Sequence, residues 1–194
     1  MARRGLNNEN IMEEATLFVQ EKGFDNFSLR ELAHRLNVKP ASLYNHIDGI
    51  DAINLSVGAT AAGRLKQAMI SAMLSKGRRE ALRAAAKAFR DFALENPELY
   101  KAIIRLPSMK SDKAREALHD CFEPLKECVG RFIEDEAMKL NYYRTIRALI
   151  HGYTALEERG FMRVNLTPPN DSFEWAVESL LTQMEANADK EETT

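Results

Sequence analysis

The sequence predicts an all-α fold of about nine helices, and three observations lead to this prediction. Residues that favour helices dominate, with only 6 prolines and 9 glycines among 194 residues. Apolar residues recur at intervals of three and four through most of the chain, as on the buried face of a helix. No segment shows the alternation of apolar and polar residues that is typical of a strand.

The first elements are predicted to be one helix followed by a helix-turn-helix. The first helix is expected over 8–22, where Gly23 ends it. Ser28 is a natural N-cap for the second helix, and Asn37 suits a left-handed turn after it. Pro40 favours the first turn of the third helix. The residues expected to face the interior are Leu29, Leu32, Ala33, Leu36, Leu43 and Ile47.

The remainder of the chain reads as a series of longer helices. The fourth has apolar residues at steady four-residue intervals, which favours a connector that passes from one domain into the next. Pro124 is expected to kink or split a long helix, because proline lacks the N–H that the helix needs. The expected bounds are 51–75, 78–95, 97–106, 112–138, 140–158 and 172–186.

The outer side of the third helix carries side chains suited to reading DNA. A short helix that offers small and hydrogen-bonding side chains fits the major groove. The outward residues are Lys39, Ala41, Ser42, Tyr44, Asn45 and His46.

The stretch from Ser28 to Ile47 resembles the DNA-binding domain of the TetR family of regulators. The resemblance covers about 7–55 and includes the signature Leu43-Tyr44-x-His46. It implies an all-helical homodimer that binds a pseudo-palindromic operator and responds to a small ligand. The chain departs from the family at Ile50, where a phosphate-binding lysine is common, so fewer phosphate contacts are expected.

The expected DNA contacts divide into base and phosphate contacts. Asn45 can pair with adenine, Ala41 can touch a thymine methyl group, and Arg30 can reach a guanine or a phosphate. The resemblance implies that Tyr44 and His46 bind phosphates and set the register. The alternatives are that Arg30 is a solvated surface side chain without a DNA contact, and that Ser28 caps its helix without binding a phosphate. The predicted DNA-binding set is Ser28, Arg30, Lys39, Pro40, Ala41, Ser42, Tyr44, Asn45 and His46.

Charge neither supports nor excludes DNA binding. The formal net charge is -2, and residues 1–47 hold six basic and six acidic side chains. This balance predicts weak nonspecific affinity for DNA. Arg3 and Arg4 are candidates for an arm in the minor groove, with a disordered terminus as the alternative.

Two helices near the C-terminal end have seams of the coiled-coil kind, with apolar residues spaced alternately by four and three. Two such helices from each of two chains could build a four-helix bundle. Packing of both seams inside one chain is the alternative. The predicted dimer-interface residues are Tyr142, Ile146, Leu149, Tyr153, Leu156, Phe173, Val177, Leu180 and Met184.

The stretch Arg147 to Phe173 resembles a ligand-domain subtype known for a Trp-His-Gly motif, with Ile150 in place of the tryptophan before His151 and Gly152. Tyr143, Arg147 and His151 align along one helix and could face a pocket with apolar walls, while ordinary core packing is the alternative. The predicted ligand-binding residues are Phe89, Phe92, Tyr100, Ile103, Met109, Phe122, Tyr143, Arg147 and His151.

Other classes of site find no support in the sequence. No catalytic motif is present, and Cys121 and Cys128 lie about 10 Å apart along an intact helix, too far for a disulfide or a shared zinc ion. We expect no enzyme activity, no cofactor and no metal. No signal peptide and no apolar run near about 18 residues is found, so a cytoplasmic protein with no membrane partner is expected.

These observations predict two domains with different tasks. Residues 1–50 are expected to bind DNA, 51–187 to bind a ligand and hold the dimer, and 188–194 to form a disordered tail. The predicted function is a transcriptional regulator, a repressor released from its operator by a small apolar or amphipathic effector. The alternative is a helical ligand-binding or enzymatic protein in which the helix-turn-helix is purely structural.

Overall fold

The structure is a computed structural model that describes residues 6–163 and 166–191, with side chains described as far as Ala188. Within these ranges it contains nine α-helices and no strand. The helices are α1 (Asn8–Lys22), α2 (Leu29–Arg35), α3 (Pro40–Leu43), α4 (Ile50–Met73), α5 (Arg78–Glu95), α6 (Pro97–Arg105), α7 (Asp112–Gly130), α8 (Glu136–Glu158) and α9 (Pro169–Glu191). Short 3-10 turns occupy Phe24–Asn26 and Leu106–Met109.

The predicted all-α fold is confirmed, and most helix bounds agree with it to within a few residues. Where local signals are strong, agreement is closest: α1 and α5 have the predicted bounds. The α-helical part of α3 is shorter than predicted, because turns follow Leu43 up to His46. Helix α9 extends both ways, starting at Pro169 and continuing past the predicted end at Ala186. Residues 192–194 and the predicted arm of Arg3 and Arg4 lie outside the described residues.

The largest correction concerns the boundary between α7 and α8. The sequence predicts one helix over 112–138, but α7 ends at Gly130 and α8 begins at Glu136. Asp135 caps α8, since its side chain accepts a hydrogen bond from the Met138 N–H at 2.7 Å. Pro124 lies inside α7 without splitting it. Burial of Phe122 and its apolar neighbours along α7 offsets the roughly 3 kcal/mol that an interior proline costs.

The chain divides into two compact units. One contains the chain up to Arg64 together with Asn96–Cys121, and the other contains Leu65–Glu95 together with the chain from Phe122 onward. Helices α4 and α7 each pass from one unit into the other. The functional boundaries predicted at residues 50 and 187 are a different kind of division and remain a prediction.

The first unit is organised around the helix-turn-helix and α6. Phe18 and Phe27 meet edge to face at 5.3 Å within its core. Helix α6 is tied to the turn after α1, because Glu98 accepts a hydrogen bond from the Phe24 N–H at 2.7 Å. Gly58 of α4 fits against Leu106, whose side chain would lie 2.7 Å from any added Cβ.

Acid should loosen the tie between α6 and the turn. Burial by itself would raise the pKa of Glu98, but Lys101 and the Phe24 N–H outweigh it and lower the pKa below 4.5. A lowered pKa in the folded state means that this stability is present above the ordinary carboxyl pKa and is lost as pH falls through the folded value. Glu98→Gln should lower the free energy of unfolding by about 1–2 kcal/mol at neutral pH. It should also make that free energy fall less steeply as the pH is lowered. Urea unfolding at several pH values measures both effects. If the fall in unfolding free energy at low pH is the same in the parent and in Glu98→Gln, the role given to Glu98 is contradicted.

The second unit packs α5 against α8 and α9. Arg90 of α5 is only 4% exposed and bonds both carboxylate oxygens of Glu157 on α8, at 2.8 and 2.9 Å. It also donates to the Asn170 side chain at 3.1 Å and lies over the ring of Phe173. One buried guanidinium therefore joins three helices. Arg79 and Arg83 of α5 pair with Glu178 of α9.

Three further findings concern the predicted absences. Cys121 and Cys128 are buried and form no disulfide, and burial raises the pKa of the Cys128 thiol to about 11. Among the described residues, no three His, Cys, Asp or Glu side chains are grouped closely enough to hold a metal ion. None of the helices in the described ranges has the length and apolar character needed to cross a membrane.

Candidate functional site

The helix-turn-helix is built by local interactions that the sequence anticipates. The Ser28 hydroxyl accepts a hydrogen bond from the Glu31 N–H at 3.3 Å, which caps α2. Asn37 has a φ of 53° and turns the chain in the left-handed conformation. The Val38 N–H then bonds the carbonyl of Ala33 at 3.0 Å. Pro40 starts α3, and Leu43 is fully buried beneath it.

The predicted DNA-binding side chains lie on an accessible surface of this motif. Tyr44 is 61% exposed, although an aromatic side chain would normally be buried. We call the predicted set the recognition surface. Ser28 and Ser42 within it are half-buried, and the exposed members are Arg30, Lys39, Pro40, Ala41, Tyr44, Asn45 and His46.

Charge pairing distinguishes the cations of the recognition surface from their neighbour Arg35. Arg35 bonds Glu14 at 2.6 Å and Glu21 at 2.8 Å, and stacks on the ring of Phe18. These carboxylates hold the Arg35 pKa above its ordinary value. In the part of the chain that the structure describes, Arg30 and Lys39 enter no ion pair. Two acids of α1 are thus neutralised internally, and two cations remain available to a polyanion.

Ile50 stands at the start of α4, where the resemblance would place a phosphate-binding lysine. Its side chain is 41% exposed, and Asp48 and Asp51 on either side are exposed as well. These three side chains offer no cation to a phosphate, and the expectation of fewer phosphate contacts remains a prediction.

The predicted ligand-binding residues are divided between the two units. Tyr100 and Ile103 are buried in α6 of the first unit, and Met109 lines a cavity of about 520 Å³ there. A second cavity of about 310 Å³, in the other unit, is lined by Tyr153, Met162, Leu166, Thr167, Pro169 and Ser172. The six remaining predicted residues belong to the second unit.

Five of those six form one aromatic cluster between α5, α7 and α8. The ring of Phe89 lies 5.5 Å from Phe122 and 5.1 Å from His151. The Arg147 guanidinium stacks on Phe122 at 4.1 Å and donates to the Tyr143 hydroxyl at 3.1 Å. We call these five side chains the Arg147 cluster. Phe92, the sixth predicted residue, is half-buried on α5.

The cluster controls the charge of its histidine. Burial, together with the smaller effect of the neighbouring Arg147 cation, lowers the pKa of His151 to about 4. At neutral pH the imidazole is therefore uncharged, so Arg147 supplies the only positive charge of these five side chains. The sequence spacing places Tyr143, Arg147 and His151 on one helix face, and the structure brings the phenylalanines of α5 and α7 to them.

The predicted dimer residues are mostly buried within the chain. Ile146, Phe173, Val177 and Met184 are at most 1% exposed, and Tyr142 and Leu180 are each 8% exposed. These six side chains pack inside the second unit, which is the arrangement that the alternative describes, and their role in a dimer interface remains a prediction. Leu149 and Tyr153 are half-buried, and Leu156 is 46% exposed.

A different face of α8 and α9 is open. Ala148 and Gly152 are exposed on α8, and nothing lies within 4 Å of a Cβ added at Gly152. Trp175, the only tryptophan of the chain, is 72% exposed on α9. The residues of this outer face are Thr145, Ala148, Gly152 and Leu156 on α8 and Trp175, Ser179, Gln183 and Ala186 on α9. Of these eight residues, sequence reasoning named only Leu156 as a dimer-interface residue, although a glycine in mid-helix was a usable signal for the face.

Comparison with known proteins identifies the family. Residues 82–180 match the family model of the tetracyclin repressor-like C-terminal domain. The uncharacterized HTH-type transcriptional regulator YobS of Bacillus subtilis is 31% identical over 79% of this chain and 80% of its own.

Solved structures share the fold along nearly the whole chain. SCO7222, a TetR from Streptomyces coelicolor, is 18% identical with a TM-score of 0.75 over 94% of this chain and 99% of its own. BioQ with its double-stranded DNA operator is 22% identical with a TM-score of 0.66 over the same shares. The Trp-His-Gly subtype stays a prediction. The chain belongs to the TetR family of helix-turn-helix transcriptional regulators.

Proposed function

We propose that this regulator is a repressor that binds a pseudo-palindromic operator as a homodimer and is released by a small amphipathic effector. The observation that carries the proposal is the recognition surface, which exposes Tyr44 and also carries two cations without ion-pair partners among the described residues. A purely structural motif would gain nothing from exposing an aromatic ring there. Family membership also favours this function over an enzyme with a structural helix-turn-helix.

The contacts that we propose with DNA divide by chemistry. Arg30, Ala41, Ser42 and Asn45 would meet base edges in the major groove. Lys39 would also face the groove, whereas Tyr44 and His46, together with Ser28 at the start of α2, would bind backbone phosphates and set the register. The BioQ structure with its operator supports the docking of this fold on DNA.

The homodimer that we propose uses the outer face of α8 and α9. A mid-helix glycine costs about 1 kcal/mol relative to alanine, and no residue that the structure describes approaches Gly152 closely enough to require it. Close approach of a second helix would explain it. Exposed Leu156 and Trp175 would supply apolar area at the same face. The proposed dimer is still a four-helix bundle of α8 and α9 from two chains, but the helices meet through their outer faces and not through the predicted seams.

The effector would act by favouring a dimer whose recognition surfaces no longer match the operator. DNA and effector then weaken each other's binding by the same factor. A change from mostly bound to mostly released requires a differential affinity of about 5.5 kcal/mol. Helices α4 and α7, which both run from one unit into the other, are the candidates for transmission.

Loss of side chains from the recognition surface should weaken operator binding. Operator sequences are first selected from genomic fragments by gel shift at modest salt. Arg30→Ala should then lower affinity about 10- to 100-fold, the value of a good arginine–guanine contact. Tyr44→Ala should lower it for all sequences alike, because a phosphate contact carries no sequence information.

The matched control is Lys113→Ala, which removes an exposed cation that lies on α7 and is not a member of the recognition surface. It should bind as the parent does. Parent-like binding by both Arg30→Ala and Tyr44→Ala would refute the assignment of this surface to DNA.

A further inference from the structure

Arg147 differs from Arg79, Arg83 and Arg90, the arginines of α5 that are half-buried or buried in the second unit. Arg79, Arg83 and Arg90 each pair with a glutamate. Arg147 has no carboxylate partner among the residues that the structure describes. Its ring neighbours, Phe122 and Tyr143, stabilise a cation but do not neutralise it.

One nitrogen of this guanidinium is also unsatisfied. Nη1 donates to the Tyr143 hydroxyl, whereas Nε is buried and has no hydrogen-bond partner among the described residues. Leaving a buried donor of a charged group unpaired is costly, so such atoms are rare in folded proteins. Nε and Nη2 form one edge of the guanidinium, and that edge matches the two oxygens of a carboxylate.

The surroundings limit the charge and the shape of a suitable ligand. The His151 imidazole is uncharged at neutral pH, so the Arg147 cluster offers a single positive charge. The Arg147 cation would balance a ligand with one negative charge. A phosphate dianion would leave one unbalanced negative charge in a half-buried aromatic environment. Phe89 and Phe122 form the apolar part of the cluster; they are 0% and 2% exposed, so the cluster must open before a ligand can contact them.

We propose that the effector is an amphipathic monocarboxylate whose carboxylate is bound by Arg147 and whose apolar part contacts Phe89 and Phe122. This inference rests on the proposed function, since it names the chemical class of the effector. It assigns Arg147 as the residue that distinguishes an acid from a neutral molecule of the same shape. Tyr143 positions the guanidinium by accepting from Nη1.

The test compares acids with matched neutral and dianionic molecules by isothermal titration calorimetry. The carboxylates are hexanoate, decanoate, hexadecanoate and phenylacetate, and the comparison molecules are the corresponding alcohols and decyl phosphate. At least one carboxylate should bind about 10- to 100-fold tighter than its alcohol, the effect of a charge-assisted hydrogen bond. It should also bind tighter than decyl phosphate when the apolar parts match.

Variants of two arginines on α8 test which residue causes the preference for an acid over its alcohol. Arg147→Gln should remove the preference for acid over alcohol, and Arg147→Lys should keep only part of it because lysine lacks the planar fork. The matched control is Arg144→Gln, which removes an exposed cation one turn away and should leave the preference intact. Circular dichroism of each variant checks folding. If Arg147→Gln does not fold, the acid and alcohol affinities of the parent and of Arg147→Lys still decide the proposal.

Three results would overturn the inference: no carboxylate binds the parent, every acid binds no tighter than its alcohol, or Arg147→Gln keeps the preference. Operator binding by the parent without ligand is measured in parallel. If the operator binds and the acid preference is absent, the inference fails while the proposed DNA-binding function stands. If no genomic fragment binds, the proposed function fails whatever the carboxylates do.

Discussion

Gly152→Glu should convert the dimer into monomers and weaken operator binding by about two orders of magnitude or more. The substitution places a charged side chain at the centre of the outer face of α8, where the proposed partner helix would approach. Since no described residue lies within 4 Å of a Cβ added at that position, the folded monomer should accept the side chain. A monomer binds one half-site only, and the gain from linking two binding modules is about 10²- to 10⁴-fold.

Gly63→Glu is the matched control for this prediction. Gly63 is also an exposed glycine inside a helix, and an added Cβ there again meets nothing within 4 Å. Both substitutions therefore change helix propensity and charge alike, but only one lies on the outer face. Sedimentation velocity across a concentration series gives the oligomeric state, and gel shifts give the operator affinity. A Gly152→Glu chain that remains dimeric would refute the proposed interface.

Arg90→Ala should lower the free energy of unfolding by about 3–5 kcal/mol, the cost of removing one partner from a buried ion pair. The substitution leaves the Glu157 carboxylate without its two guanidinium bonds and takes a donor from Asn170. It also removes the cation stacked on Phe173. For a chain of this size we expect a fall in melting temperature of roughly 10 °C.

Two comparisons distinguish the effect of breaking the buried Arg90–Glu157 pair from the effect of removing a charge anywhere on the chain. Lys87→Ala, on the same helix, breaks an exposed pair with Asp91 and should cost less than about 1 kcal/mol. The double variant Arg90→Met with Glu157→Met removes both buried charges and should recover much of the loss. Urea unfolding at one fixed protein concentration compares all four chains, because dimer stability depends on concentration. A loss below about 1 kcal/mol for Arg90→Ala would contradict the role of this ion pair.

Local sequence signals were sufficient for the helix-turn-helix. Ser28, Asn37 and Pro40 act through their own backbone neighbours, as a cap, a left-handed turn and a first-turn residue. These effects operate over three or four residues, so they could be predicted without knowledge of the fold. The exposure of Tyr44 and the burial of Leu43 follow from the same local geometry.

Longer elements depended on packing that no local signal reports. The periodicity of α8 and α9 predicted apolar faces correctly, but it could not tell a face covered by the same chain from one covered by a second copy. The structure covers Ile146 and Phe173 within the chain and leaves Gly152 and Trp175 open. The break between α7 and α8 was misplaced because both Gly130 and Asp135 were needed to end one helix and cap the next.

By itself the sequence determined the helical class, the helix-turn-helix and the alignment of Tyr143, Arg147 and His151, since all three follow from spacing along a helix. Only the tertiary structure decided that Glu98 ties α6 to the turn after α1, that Arg90 has a buried carboxylate partner and that Arg147 has none among the described residues. Pairing between groups more than about sixty residues apart depends on how helices pack against each other, and periodicity along one helix carries no information about the neighbour it will meet.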